Sequence, residues 1–158
     1  MIYGITGHQE REGIDWAWVR VMIRGEVQCG GPDLRGLSSL ARGADQVFAE
    51  EILQAQGALT AIIPLEGYEE NFRGEDLSRY QRLLSSSEVI MMPEAKDDEA
   101  AFLAAGMRVA DDCDVLLAVW DGEPAAGSGG TGDVVGHAKT IGRAIVHFQP
   151  ITREVARY

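Results

Sequence analysis

Asp114-Val115-Leu116-Leu117-Ala118-Val119-Trp120-Asp121-Gly122, followed by Gly127-Ser128-Gly129-Gly130-Thr131-Gly132-Asp133, is the stretch from which the fold class can be read. Residues 115–120 form a continuous apolar run bounded by polar residues and glycines, the pattern of a strand covered on both faces. Glycines come next, where a backbone without side chains turns tightly and approaches a ligand closely. A helical pattern starts at once, with Val134, Val135, Ala138 and Ile141 as its apolar positions. The start of a helix presents unpaired N–H groups and the positive end of its dipole. Strand, glycine-rich turn and helix start together make an anion site, and phosphate is the expected occupant. The competing reading is a plain surface loop.

The same alternation extends outward through the chain. Met1 to Thr6 is an apolar strand that delivers Gly7-His8-Gln9, and a helical pattern runs from about Gly13 to Val27, with Asp15 near its start. Gly30-Gly31-Pro32 breaks that helix. A thinner strand over 35–40 precedes Gly43-Ala44-Asp45, which opens an amphipathic helix through Val47, Phe48, Ile52 and Leu53 to Gly57. A buried strand over 58–64 leads into a loop over 65–74 that carries Tyr68, Asn71 and Phe72. Helix 75–85, strand 88–92 and helix 95–112 follow, and 144–148 forms the last strand. The tail 152–158 is expected to extend past the domain or to dock on a partner. Buried strands alternating with helices predict an α/β fold, a three-layer Rossmann-like sandwich. Its sheet is mostly parallel, of about six strands, with helices on both faces, and 1–158 forms a single domain. Ligands of such sheets bind beyond the carboxyl ends of the strands, where the winding reverses. Three polar turns should therefore share one crevice: Thr6-Gly7-His8, Ser38-Ser39 through Asp45, and Asp121 through Asp133.

Several residues in these turns are candidates for chemistry. Gly4 and Gly7 are present, but the first turn lacks the third glycine of a dinucleotide fingerprint. His8 has three open roles, as a phosphate contact, an acid–base group or a strand-end cap. Thr6 offers its hydroxyl to a phosphate or to the local backbone. In the second turn, Ser38, Ser39 and Gly43 accompany Asp45, which reads as a helix cap or a ligand contact. Arg42 is the only arginine of the three turns and pairs with phosphate or points to solvent. In the third turn Gly129, Gly130 and Thr131 carry the phosphate reading. Asp133, in the first helical turn, reads as a dipole partner or as an acceptor for ribose hydroxyls. Asp121, Gly122 and Glu123 lie nearby, and Trp120 reads as core or as a stacking surface for a base. The three histidines have no metal-ligand spacing, so no metal site is expected.

The bulk numbers narrow the partners. The chain has 158 residues, 46% hydrophobic and 25% charged, enough for a sizeable core. Fourteen cationic against 25 acidic side chains give a net charge of −11. That balance repels nucleic acid and anionic membrane at long range, so neither is an expected partner. Cys29 and Cys113 make neither a zinc pattern nor a redox pair, and Cys113 reads as a small hydrophobe at a strand start. With no signal-peptide pattern and no apolar run of spanning length, a cytoplasmic location is expected.

With these turns in place, the sequence resembles the SLOG superfamily, the Rossmann-like group that joins the DNA-processing protein DprA to the LOG phosphoribohydrolases. Gly4-Ile5-Thr6-Gly7-His8, Leu37-Ser38-Ser39-Leu40-Ala41-Arg42-Gly43-Ala44-Asp45, and 114–122 with Gly129-Gly130-Thr131 stand in the order of its small stand-alone bacterial members. The resemblance implies binding of a nucleotide or nucleotide-derived ligand, ADP-ribose-like, a nucleoside monophosphate or a cyclic signal, and often a homodimer. No further cofactor is implied. LOG enzymes carry P-G-G-x-G-T-x-x-E, whose glutamate serves hydrolysis of a ribose–base bond. Here the acid after Thr131 is Asp133, one place early and shorter. The leading expectation is a binding module, a sensor or carrier of a phosphorylated nucleoside ligand. The alternative is a LOG-like phosphoribohydrolase that cleaves the N-glycosidic bond of a nucleoside 5′-monophosphate, with Asp133 or Glu123 as its catalytic acids. Handling of single-stranded DNA is a third reading, disfavoured by the acidic balance.

Overall fold

The computed structural model describes residues 1–124 and 130–158. Its strands are β1 (Ile2–Gly7), β2 (Arg35–Ser38), β3 (Ala58–Ile63), β4 (Ser87–Met91), β5 (Val115–Val119), β6 (Ala144–Gln149) and β7 (Glu154–Arg157). The α-helices are α1 (Trp16–Val27), α2 (Ala44–Gln54), α3 (Gly74–Ser85), α4 (Asp98–Asp112) and α5 (Thr131–Thr140). One mostly parallel sheet has the order β4-β3-β2-β1-β5-β6-β7, and only the β6–β7 pair is antiparallel. The chain winds outward from β1 to β4, then returns to place β5 on the other side of β1. The reversal therefore lies between β1 and β5, where Gly7 is in register with Val119.

Local chemistry sets the element ends. Asp15 caps α1 by accepting the Trp18 N–H at 3.0 Å, and Asp97 caps α4 by accepting the Ala100 N–H at 2.8 Å. Each sheet face is covered by helices, which explains the continuous apolar runs. Ile5, Leu117 and Val119 share one core with Val19 and Ile23 of α1, Phe48 and Ile52 of α2, and Tyr80 of α3. Leu116 and Ala118 share the opposite core with Ala105 and Val109 of α4 and with Val134 and Ala138 of α5. A Cβ on Gly4 would stand 2.7 Å from Val109 Cγ1, so this glycine is what lets α4 lie close on β1. Burial pushes the Cys113 thiol up to about 11, as suits a packing residue.

Three expectations change. The sheet has seven strands rather than about six, because the tail 154–157 pairs with β6, with His147 opposite Ala156. This edge strand is mostly exposed and so lacks the apolar run that marked the others. Cys113 ends α4 instead of beginning a strand. A 3₁₀ turn, Tyr68–Asn71, organises part of the expected loop. No helix among the described residues is long and apolar enough to cross a membrane.

Candidate functional site

A crevice of about 610 Å³ opens at the carboxyl edge of the sheet, at the β1–β5 reversal. Thr6, Gly7 and His8 line it from the first turn, Ser39, Arg42 and Asp45 from the second, and Trp120, Glu123, Gly130 and Thr131 from the third. The three turns thus meet in one space. Residues 125–129, including Gly127, Ser128 and Gly129, lie outside the described residues.

The first turn is held by the third. The His8 N–H donates to Val119 O at 3.0 Å, and His8 Nε2 accepts from the Asp121 N–H at 3.2 Å. The same Nε2 lies 3.1 Å from Asp121 Oδ1, while Arg11 donates to Asp121 Oδ2. A neutral ring with its proton on Nδ1 accepts the backbone N–H. Asp121 does not line the crevice; it positions His8 and Arg11. Burial opposes its charge, but the Glu123 N–H, His8 and Arg11 together hold its carboxyl below the usual carboxylate range. Gly7 lines the crevice and packs tightly, since a Cβ would meet Ala44 Cβ at 2.5 Å.

In the second turn the Asp45 carboxylate ties the loop together. Its Oδ2 accepts from Ser38 Oγ at 2.9 Å and from the Ser39 N–H at 3.0 Å, and Ser38 Oγ in turn accepts the Leu40 N–H at 2.9 Å. Ser38 is fully buried and does not reach the crevice, so its role here is to hold the loop. Burial pushes Asp45 up to about 6, against the lowering pull of its hydrogen bonds to Ser38, Ser39 and Ala41. Gly43 has φ +87, and a Cβ there would stand 2.3 Å from Gln9 O and 2.6 Å from His8 O. It serves this close approach and lies outside the crevice lining. Arg42 lines the rim, paired with Glu10 at 3.2 Å and near Asp76 at 3.9 Å.

The third turn is fastened to β6. His147 Nε2 donates to Trp120 O at 2.7 Å and Gln149 Nε2 donates to Asp121 O at 3.3 Å. Trp120 lines the crevice, and its Nε1–H donates to Glu123 O at 2.8 Å. Helix α5 starts after Gly130, whose backbone takes φ −75 and ψ 169 and which caps without a side-chain bond. Gly132 and Val134 line the crevice, but Asp133 between them is exposed and does not. Successive helical positions differ by about 100°, which turns it away. Gly4, under α4, and Gly122, at φ +86, also lie outside the lining.

Arg11, Phe102 and the loop aromatics Tyr68 and Phe72 complete the walls. Arg11 belongs to the first turn, so Arg42 is not the only arginine there; the alternating charges of Gln9-Glu10-Arg11-Glu12 were the available signal. Tyr68, Phe72 and Phe102 form an aromatic wall opposite the turns. Tyr68 packs edge-on against Phe72, with ring centroids 5.2 Å apart, and Phe72 stacks on Tyr80 at 4.4 Å. Burial and the Asp45 charge push the Tyr68 phenol well above its ordinary range. The Tyr68 phenol is therefore neutral, an available donor beside the aromatic wall.

No protein-family model matches the chain, and no curated protein sequence matches it. Solved structures do. DNA processing protein A (DprA) from Streptococcus pneumoniae is 20% identical with a TM-score of 0.66, over 92% of this chain and 49% of that one. DNA processing protein A from Helicobacter pylori, described for its single-stranded DNA binding mode, is 15% identical with a TM-score of 0.67, over 94% and 65%. The chain shares a Rossmann-like fold with both. The molybdenum cofactor (Moco) carrier protein from Chlamydomonas reinhardtii shares this fold at 14% identity and a TM-score of 0.55, over 94% and 75%. The chain spans about half the length of the Streptococcus protein it matches. One expectation is corrected by these likenesses: net acidity does not remove nucleic acid from the partners of this fold, since one protein that shares it is described by its single-stranded DNA binding. A net charge averages over a whole surface, whereas a strand meets only one face of it.

Proposed function

We propose that this chain binds a phosphorylated nucleotide-type ligand in the crevice at the β1–β5 reversal, as a sensor or carrier. The observation that carries this reading is the meeting of three strand-end turns opposite an aromatic wall in one space of about 610 Å³. That volume suits a small ligand with a polar and an apolar end. The phosphate sits at Gly130-Thr131-Gly132, where the start of α5 offers N–H groups and dipole. Arg11, held by Asp121, supplies a nearby cation, and His8 a ring nitrogen. The base lies against Phe102 and Tyr68, and the Asp45 carboxylate and Ser39 are within the space left for the sugar hydroxyls. The name of the cofactor carrier with the same fold agrees with a holding role.

Calorimetry with ADP-ribose, nucleoside monophosphates, cyclic nucleotides and a short single-stranded DNA tests the proposal. At least one of them binds, and Thr131→Arg, which fills the phosphate position, weakens binding by about tenfold or more. Indifference to the whole panel refutes it.

A second reading, hydrolysis of an N-glycosidic bond, draws on one observation: the buried Asp45 carboxyl, pushed up to about 6, gives the crevice a group able to exchange protons near neutral pH. Of the two acids expected from sequence, Glu123 lines the crevice and Asp133 does not. Chromatography for free base after incubation with AMP separates the two readings. Release of base that is lost in Asp45→Asn favours hydrolysis, and no release at high enzyme concentration excludes it for that substrate.

A further inference from the structure

The sheet ends in two edge strands of unlike character, β4 and β7. β7 carries Glu154 and Arg157 in its short span, and such charges keep an edge from pairing further. β4, Ser87-Glu88-Val89-Ile90-Met91, has a single charge and neither lysine nor proline within it. Val89 is 49% and Met91 54% exposed, large apolar side chains next to each other on one sheet face. Ile90 points the other way and packs against the core beneath α4.

The pairing of β4 with β3 fixes which backbone groups this edge offers. Residues 87–91 run parallel to 59–63, and the Met92 N–H donates to Ile63 O at 2.9 Å. Successive strand residues aim their N–H and C=O groups to alternate sides. Those of Glu88, Ile90 and Met92 therefore face β3, and those of Ser87, Val89 and Met91 face outward. Among the described residues no other strand pairs with them.

We propose that β4 pairs antiparallel with β4 of a second copy of this chain, about a two-fold axis at Ile90, and joins two sheets into one. Val89 then lies opposite Met91 of the second copy, and Met91 opposite its Val89, so each exposed apolar side chain meets another. Both positions face outward, so each such pair exchanges N–H···O bonds in both directions. Charge selects the same arrangement. Exposed Arg82 in the last turn of α3 comes just before β4. Exposed Glu94, Asp97, Asp98 and Glu99 come just after it, with Lys96 the one cation among them. Antiparallel pairing sets the start of one β4 beside the end of the other, with Ser86 level with Glu94 across the axis. Arg82 thus approaches the acidic stretch of the second copy, whereas parallel strands would set like ends together. So short an edge buries little area, and the dimer is a weak one whose population depends on concentration. It stands apart from the crevice reading, since the crevice opens at the β1–β5 reversal.

Sedimentation equilibrium of the full chain over a concentration series tests this. The mass rises from that of one chain toward that of two as the concentration approaches about 1 mM. Val89→Pro removes an N–H that the folded monomer does not use, and it weakens association by about tenfold or more. Met91→Lys puts a charge on the same edge and does likewise, while thermal unfolding of its monomer stays near that of the wild type. Arg82→Glu and Glu94→Arg each weaken the homodimer by about threefold. Mixing those two variants restores association, because unlike charges then face each other at both ends. A wild type that stays monomeric at about 1 mM overturns the proposal and leaves the edge to a strand of another protein. A dimer that survives both Val89→Pro and Met91→Lys also overturns it and places the contact elsewhere. A mixture that associates no better than its components overturns the antiparallel two-fold arrangement.

Discussion

The turns that follow β2 and β5 read alike in sequence, each a strand end with small residues, glycine and an acid, yet they are built on opposite terms. The first is closed upon itself. Ser38, Ser39 and Leu40 spend their donors within the loop, the Ala44 N–H that opens α2 donates to His8 O at 3.2 Å, and Gly43 presses on the His8–Gln9 backbone. The second is fastened at its strand end by His147 and Gln149, and it brings the start of α5 to the crevice wall. A helix start is an anion site only where its N–H groups remain for the anion. The α2 start is scaffold, and the α5 start lies on the crevice wall.

Substitution at the two glycines should separate the turns most sharply. Gly43→Ala places a side chain on a left-handed backbone and a Cβ against two carbonyl oxygens. It should lose about 3–5 kcal/mol in chemical denaturation, the size of a severe packing fault with backbone strain. Gly130→Ala, at φ −75 and ψ 169, should stay within about 1 kcal/mol of the wild type and act on ligand binding instead. Similar losses at both positions would erase the contrast.

The two acids should respond to pH with opposite sign. Asp45 is raised to about 6 from 3.8, so in the pH window between, the folded chain holds a proton that the unfolded chain has released. Stability therefore falls as pH rises from about 4 to about 6, by about 3 kcal/mol for this group, and Asp45→Asn should flatten the slope. Asp121 is held low, so its contribution is present above the unfolded carboxylate range and is lost as pH falls through its folded value. Asp121→Asn should cost a smaller amount, about 1–2 kcal/mol near neutral pH, and remove that acid-side loss. Denaturation series from pH 3 to 8 on both variants check the signs. Smaller still, Thr131→Ala should shift stability by less than about 1 kcal/mol while Thr131→Arg impairs binding, which keeps stability and recognition apart at α5.

Much of the architecture was legible because it rests on local periodicity. The buried runs at 2–6, 58–63 and 115–119 and the helix at 44–54 emerged within a few residues of their positions. The strand at 154–157 did not, since an edge strand with exposed side chains carries no buried run. Placement of the three turns on one crevice followed from sheet topology, but the sorting of their residues did not. Ser38 and Gly43 look like ligand contacts in a motif, and only their burial and packing make them supports. Arg11 escaped notice because the charged run around it does not show its partner Asp121, which is 110 residues away.

The sequence by itself determined that strands and helices alternate, that the strands are covered on both faces, and which turns meet beyond the sheet edge. These are consequences of hydrophobic spacing and of glycine at chain reversals, both written into short segments. Tertiary structure alone decided which acid is buried and raised, which is paired and lowered, which glycine packs and which opens, and that Val89 and Met91 stand exposed on a sheet edge. The physical reason is that desolvation, ion pairing and close approach depend on atoms brought together from distant parts of the chain, and no local pattern records those distances.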